Sequence, residues 1–171
     1  EGNLVIDKPL VLIGTGRPVL DGDHKVEIIT VTSDDVTVRG FLFKNTAIGS
    51  MEDYAAVRVL SARRVLIEDN EGLDNFFGFH FSKSADCVVR NNRLLNRKRF
   101  SPGSGDDAPT QLGNGIHLWK CSGFIIEHNR VEGHRDGIYF EFVTESVIRG
   151  NHSEGNMRYG LHFMFSNDNR Y

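Results

Sequence analysis

Cysteine is scarce in this sequence: among 171 residues only Cys87 and Cys121 carry a thiol. Two are too few for a disulfide framework and lack the paired spacing of a zinc site, so they leave the redox compartment open. Charge of one sign is missing as well. The 20 Lys+Arg stand against 23 Asp+Glu, a net charge of -3, which removes the basic footprint of a nucleic-acid binder. No stretch approaches the roughly 20 consecutive apolar residues of a membrane-spanning helix. There is no GxxxxGK[ST] phosphate loop, so energy for any transport would have to come from another chain. The first residues, EGNLVIDKPL, contain neither a Met nor a signal-peptide pattern, as expected of a processed or cut product. What remains, 39% hydrophobic and 25% charged, is the composition of one soluble domain with a core.

The sequence is rich in a repeat. Gly78, Gly115, Gly137 and Gly160 open the phrases GFHF, GIHL, GIYF and GLHF, and Ala56-Val57-Arg58-Val59 is a weaker copy. Asn70, Asn92, Asn129 and Asn151 close the apolar runs VLIEDN, CVVRNN, FIIEHN and SVIRGN. Opener and closer are 14 apart in all four copies (56 to 70, 78 to 92, 115 to 129, 137 to 151). The return arc varies: 8 from 70 to 78 and from 129 to 137, 9 from 151 to 160, and 23 from 92 to 115. A period of 22 or 23 residues built from short apolar runs predicts one coil of a parallel β-helix, and about six coils in all. The fold class expected is therefore all-β, a right-handed single-stranded parallel solenoid forming one domain over 1–171. The long loop insertion falls at 93–114. A solenoid requires a cap over its last strands, and none follows GLHFMFSNDNR, so a fragment truncated at both ends is expected.

Alternation assigns faces. Val57/Val59, Phe79/Phe81, Ile116/Leu118, Ile138/Phe140 and Leu161/Phe163 are predicted to face inward, with a second inward column at Ile67, Val89, Ile126 and Ile148. Two residues before these stand Val65, Cys87, Phe124 and Ser146, which makes Cys87 a buried small hydrophobe. Glu68, Arg90, Glu127 and Arg149 alternate in sign and would pair between coils roughly 4.8 Å apart. The closing asparagines should stack at turns, satisfying backbone groups and tolerating left-handed geometry. Leu66, Val88, Ile125 and Val147 would form an outward apolar stripe, a contact surface or the bed of a covering segment.

The most chemically loaded surface is the outward column Arg58/Leu60, His80/Ser82, His117/Trp119, Tyr139/Glu141 and His162/Met164. Imidazole with thioether suits copper, which makes His80, His117, His162 and Met164 candidate metal ligands; the same pattern also suits a purely stacking ladder. Trp119, Tyr139 and Glu141 are candidates for a ligand or partner surface, since flat rings pack against sugars. A glycosidase would need two facing carboxyl groups roughly 5 to 9.5 Å apart. Only Glu141 qualifies by position on this face, and Asp136, Asp74 and Asp106-Asp107 are the partners it could draw on. No catalytic residue is assigned. His134-Arg135-Asp136 reads as a charged turn, and His24, His128, His134 and His152 as turn residues. The insertion NRKRFSPGSGDDAPTQLGN reads as a surface loop with Arg97-Lys98-Arg99 as a docking element in the alternative.

The run GNGIHLWKCSGFIIEHNRVEGHRDGIYFEFVTESVIRGNHSEGNMRYGLHFMFSNDN, and RYGLHFMFSNDN above all, resembles the NosD family, within the carbohydrate-binding and sugar-hydrolase β-helix group. The resemblance implies a non-enzymatic periplasmic accessory protein that helps to assemble the copper-sulfide centre of nitrous oxide reductase. Its partners would be an ABC-type ATPase and permease, the reductase and a copper-donating chaperone. The family is often described as copper-binding, without a ligand set that carries over. The competing expectation is a carbohydrate-binding or polysaccharide-modifying β-helix.

Overall fold

The computed structural model describes residues 2–49, 52–97 and 112–171. Its strands follow the repeat. The first coil holds β1 (Leu4–Ile6), β2 (Leu10–Ile13) and β3 (Val19–Asp21), and the second β4 (Ile29–Val31), β5 (Val36–Arg39) and β6 (Leu42–Lys44). The third holds β7 (Ala55–Leu60), β8 (Leu66–Glu68) and β9 (Glu71–Leu73), and the fourth β10 (Phe77–Ser82), β11 (Val88–Arg90) and β12 (Arg93–Leu95). The fifth holds β13 (Ile116–Trp119), β14 (Ile125–Glu127) and β15 (Arg130–Glu132), and the sixth β16 (Asp136–Glu141), β17 (Val147–Arg149) and β18 (His152–Glu154). Strand β19 (Tyr159–Met164) opens a seventh. Like strands stack into three parallel sheets, seven-stranded for the openers and six-stranded for the other two. The described residues thus form six three-strand coils and the first strand of another, where about six were predicted.

The inward columns stand where alternation places them. Val57, Val59, Phe79, Phe81, Ile116, Leu118, Ile138 and Phe140 are fully buried, as are Val65, Ile67, Cys87, Val89, Phe124 and Ile126. Leu161 and Phe163 are only half-buried, because no strand of the described residues lies beyond β19. Burial pushes the Cys87 thiol up to about 11 and the Cys121 thiol to about 12, so both behave as small apolar groups. Between coils, Arg90 pairs with Glu68 at 2.8 Å and Arg149 with Glu127 at 2.7 Å, and Arg39 extends the series to Glu68 at 3.6 Å. Leu66, Val88, Ile125 and Val147 do face outward in register, half-buried.

The asparagine stack is a continuous ladder. Asn70 donates its Nδ2 to Asn92 Oδ1 at 3.2 Å, Asn92 to Asn129 at 3.0 Å and Asn129 to Asn151 at 2.9 Å. Each amide also reaches a backbone carbonyl, as Asn92 does to Ile67 at 2.9 Å. The left-handed backbone is not at these asparagines but one residue earlier, at Asp69, Asn91, His128 and Gly150. Two further left-handed columns precede it: Ser61, Lys83, Lys120, Phe142 and Phe165, then Arg64, Asp86, Gly123, Glu145 and Asp168. Three corners of fixed dihedral angle explain why the opener-to-closer arc never changes length.

The opener glycines serve space rather than backbone freedom. A Cβ on Gly78 would lie 2.7 Å from a Leu94 methyl, and one on Gly115 would lie 2.6 Å from the Gly137 carbonyl. Within the segment 93–114, Arg93–Leu95 is still β12, paired with Glu71–Leu73 and Arg130–Glu132. The chain leaves the sheets only after Leu95. Lys98, Arg99 and Asp106-Asp107 lie outside the described residues.

Candidate functional site

The outer face of the first sheet carries one column of side chains through six strands. The register pairs Thr30 with Arg58, Arg58 with His80, His80 with His117, His117 with Tyr139, and Tyr139 with His162. The strand spacing turns this register into ring stacking. The His80 and His117 rings lie 4.8 Å apart at 11°, His117 and Tyr139 4.9 Å apart at 44°, and Tyr139 and His162 4.7 Å apart at 45°. Tyr159, on the same strand as His162, stands beside that ring at 4.7 Å. Phe77, which strand alternation alone did not single out, stands beside the column 5.5 Å from both His80 and His117.

This face points away from the core, yet much of it is not a solvated ladder. His80 is 4%, His117 9% and Tyr139 8% exposed, because each ring is covered by its neighbours in the column and the two imidazoles also at the side by Phe77. Neither ring nitrogen of His117 has a hydrogen-bond partner, nor does His80 Nδ1. Burial holds His80 at about 4, with Asp53 at 3.9 Å opposing and Arg58 assisting the shift. Burial, with a contribution from His80, holds His117 at about 3. Both imidazoles are therefore neutral near pH 7, His117 with neither nitrogen hydrogen-bonded and His80 with its Nδ1 unpartnered.

The four expected metal ligands separate into two pairs. His80 and His117 form the first, with unpartnered nitrogens. In the second, Met164 Sδ accepts from the Tyr139 hydroxyl at 3.6 Å, and His162 Nδ1 lies 3.3 Å from Asp136. Tyr139 stands between the pairs, and His162 is two coils from His117, roughly 9.6 Å at the strand spacing. Among the described residues no group of three or more His, Cys, Asp or Glu side chains is placed to hold a metal ion.

His134-Arg135-Asp136 differs from the charged turn expected. Arg135 is exposed, but His134 is 1% and Asp136 0% exposed. Asn156 Oδ1 accepts from the His134 backbone N–H at 3.0 Å, and Asn114 Oδ1 from that of Asp136 at 3.2 Å. Arg158 forms an ion pair with the Asp136 carboxylate. A buried carboxylate with a guanidinium on one side and an imidazole on the other fixes the orientation of His162. The signal for it was an acidic residue directly before an opener glycine. His152 is in β18 rather than a turn, whereas His24 and His128 are exposed turn residues.

At the edge of this face Trp119 is flanked by the ammonium groups of Lys120, 4.5 Å from its ring centre, and Lys83, at 5.7 Å. Glu141 lies in register between Trp119 and Met164. Of the acids that could partner Glu141, Asp136 is engaged by Arg158 and His162, and Asp74 by Arg97 at 2.6 Å.

A parallel solenoid with these phrases has known relatives. Residues 27–171 match the family described as the right-handed β-helix region. A protein of Pseudomonas aeruginosa, named as a probable ABC transporter binding protein, NosD, is 33% identical over 139 residues, which take in 80% of this chain and 30% of that protein. A protein of the same name from Stutzerimonas stutzeri is 30% identical over 138 residues, again 80% of this chain and 30% of the relative. The chain thus corresponds to under a third of the length of these relatives. It belongs to the right-handed β-helix family and is a NosD-like member of it.

Proposed function

We propose that the chain forms part of a periplasmic binding protein that works with an ABC-type ATPase and permease, and that the outer face of its first sheet is the working surface. The observation that carries the choice of surface is the buried ring column, in which His80 and His117 hold nitrogens with no partner in the protein. Support for the transporter comes from the names of the two relatives. The finer reading is that the cargo is copper for the copper-sulfide centre of nitrous oxide reductase, received from a copper-donating chaperone. Neutral imidazoles fit copper in donor chemistry, and His80 with His117 would hold it; their stacked planes require one ring to turn before both lone pairs meet one ion.

Trp119 and Glu141, at the half-buried rim of this face, would make the contact with partners. The test is capture of the purified permease–ATPase complex by the immobilised chain. The reading expects saturable binding that weakens at least about tenfold, or 1.4 kcal/mol, in Trp119→Ala/Glu141→Ala. Equal binding by the two proteins would remove this face as the docking surface.

A further inference from the structure

At the other end of the same face, Asn3, Lys25, Val26, Glu27, Tyr54 and Arg58 line a cleft of about 290 Å³. Glu27 stands just before β4, where the Ile28 N–H donates to the Ala55 carbonyl at 3.2 Å and fixes the chain. Its side chain is only 8% exposed. One carboxyl oxygen, Oε1, accepts from the Thr30 hydroxyl, which in turn accepts from Asn3 Nδ2 at 2.8 Å. The other, Oε2, has no hydrogen-bond partner. Arg58 comes from the next coil, in register with Thr30, and its Nη1 stops 3.7 Å from that oxygen, beyond hydrogen-bond reach. The Arg58 Nε is buried and likewise unpartnered.

Glu27 Oε2 and Arg58 Nε are thus a buried acceptor and a buried donor without partners, and the two residues line a cleft large enough to admit a third group. Burial raises the Glu27 carboxyl above its usual range, against the Thr30 hydroxyl and the Arg58 charge, which favours the form that can donate a hydrogen bond. Around it stand the Lys25 ammonium at the rim, paired with Asp23, and Asp53 with His80 on the far side of Arg58. A guanidinium fork matches the paired oxygens of a carboxylate, and bringing the doubly charged sulfate into a buried site costs more desolvation than a singly charged carboxylate does.

We propose that this cleft is a binding site for a small carboxylate, whose oxygens complete the gap between the Arg58 guanidinium and the Glu27 carboxyl while Lys25 closes the rim. The site uses none of the proposed copper ligands, although Arg58 is the neighbour of His80 in the column.

The test is a titration of the ¹⁵N-labelled chain with sodium acetate at constant ionic strength, following the Arg58 Nε–H resonance, with sodium sulfate and sodium chloride as parallel arms. The expected result is a saturable shift with acetate, with a Kd on the order of 1 mM, and at least about tenfold weaker response to sulfate and chloride. Arg58→Gln abolishes the acetate response read at neighbouring amides, and Glu27→Gln, which keeps a donor, retains it. Lys25→Gln, on an exposed side chain, weakens it about two- to fivefold at low salt without altering the fold. No saturable acetate shift, an equal response to chloride, or an unchanged Kd in Lys25→Gln or in a folded Arg58→Gln overturns the proposal.

Discussion

His117 shows how the stacking decides ionisation. Its ring is enclosed between His80, Tyr139 and Phe77, and neither of its nitrogens has a hydrogen-bond partner in the protein. His80, His117 and His134 are held at about 4, 3 and 4, against an ordinary 6.5. Between pH 6.5 and about 4 the unfolded chain therefore binds more protons than the folded one. Stability is fully present above 6.5 and falls as the pH drops through that window, by up to about 1.4 kcal/mol per pH unit for each histidine. Urea midpoints measured from pH 7.5 down to 4.5 should decline, and His134→Leu should reduce the slope. A flat profile would mean that the three rings are hydrated. At the same scale, Asn92→Ala removes the acceptor of the Asn70 backbone N–H and the donor to the Ile67 and Arg90 carbonyls. A loss of about 2–4 kcal/mol is expected by denaturant titration, and a smaller one for Asn151→Ala, which has fewer buried partners.

Strands and corners were legible to different degrees. The inward columns followed from alternation alone because every second residue of a strand shares a face. The corners did not, since left-handed geometry at Lys83, Lys120, Phe142 and Phe165 is imposed by the stacked coils on residues with no local preference for it. Strand β12 was hidden for a related reason. Arg93–Leu95 is three residues beside a loop-like insertion, and only its pairing with Glu71–Leu73 and Arg130–Glu132 marks it as strand. The opener glycines were visible as a pattern, but their reason, the approach of the next coil and of Leu94 or Val131, is a packing property. Gly115→Ala would press a methyl against the Gly137 carbonyl 2.6 Å away, and a cost of about 1–3 kcal/mol is expected from thermal or chemical unfolding. Wild-type stability in that variant would show that the coil spacing yields without strain.

For the whole molecule, the solenoid turns a repeat along the chain into columns of like side chains on three faces. One column is the asparagine ladder, a second the charge series from Arg39 to Arg149, and a third the rings from His80 to His162. The membership of the ring column was readable from the constant offset behind each opener. Its burial was not, because Phe77 covers two rings from a position that strand alternation does not mark. The Asp136–Arg158–His162 group was missed for a similar reason: its members come from adjacent coils 22 to 26 residues apart.

The central claim is that this face works because His80 and His117 keep unused lone pairs. It is tested most directly by Cu(I) titration of the chain, anaerobic and under reductant, with a competing chelator. The measurement sets the chain against His80→Ala/His117→Ala and His162→Ala/Met164→Ala, with folding of each variant verified by circular dichroism. The account predicts one equivalent bound, lost in the first variant and retained in the second. No binding, or binding that survives in the first variant, would contradict it.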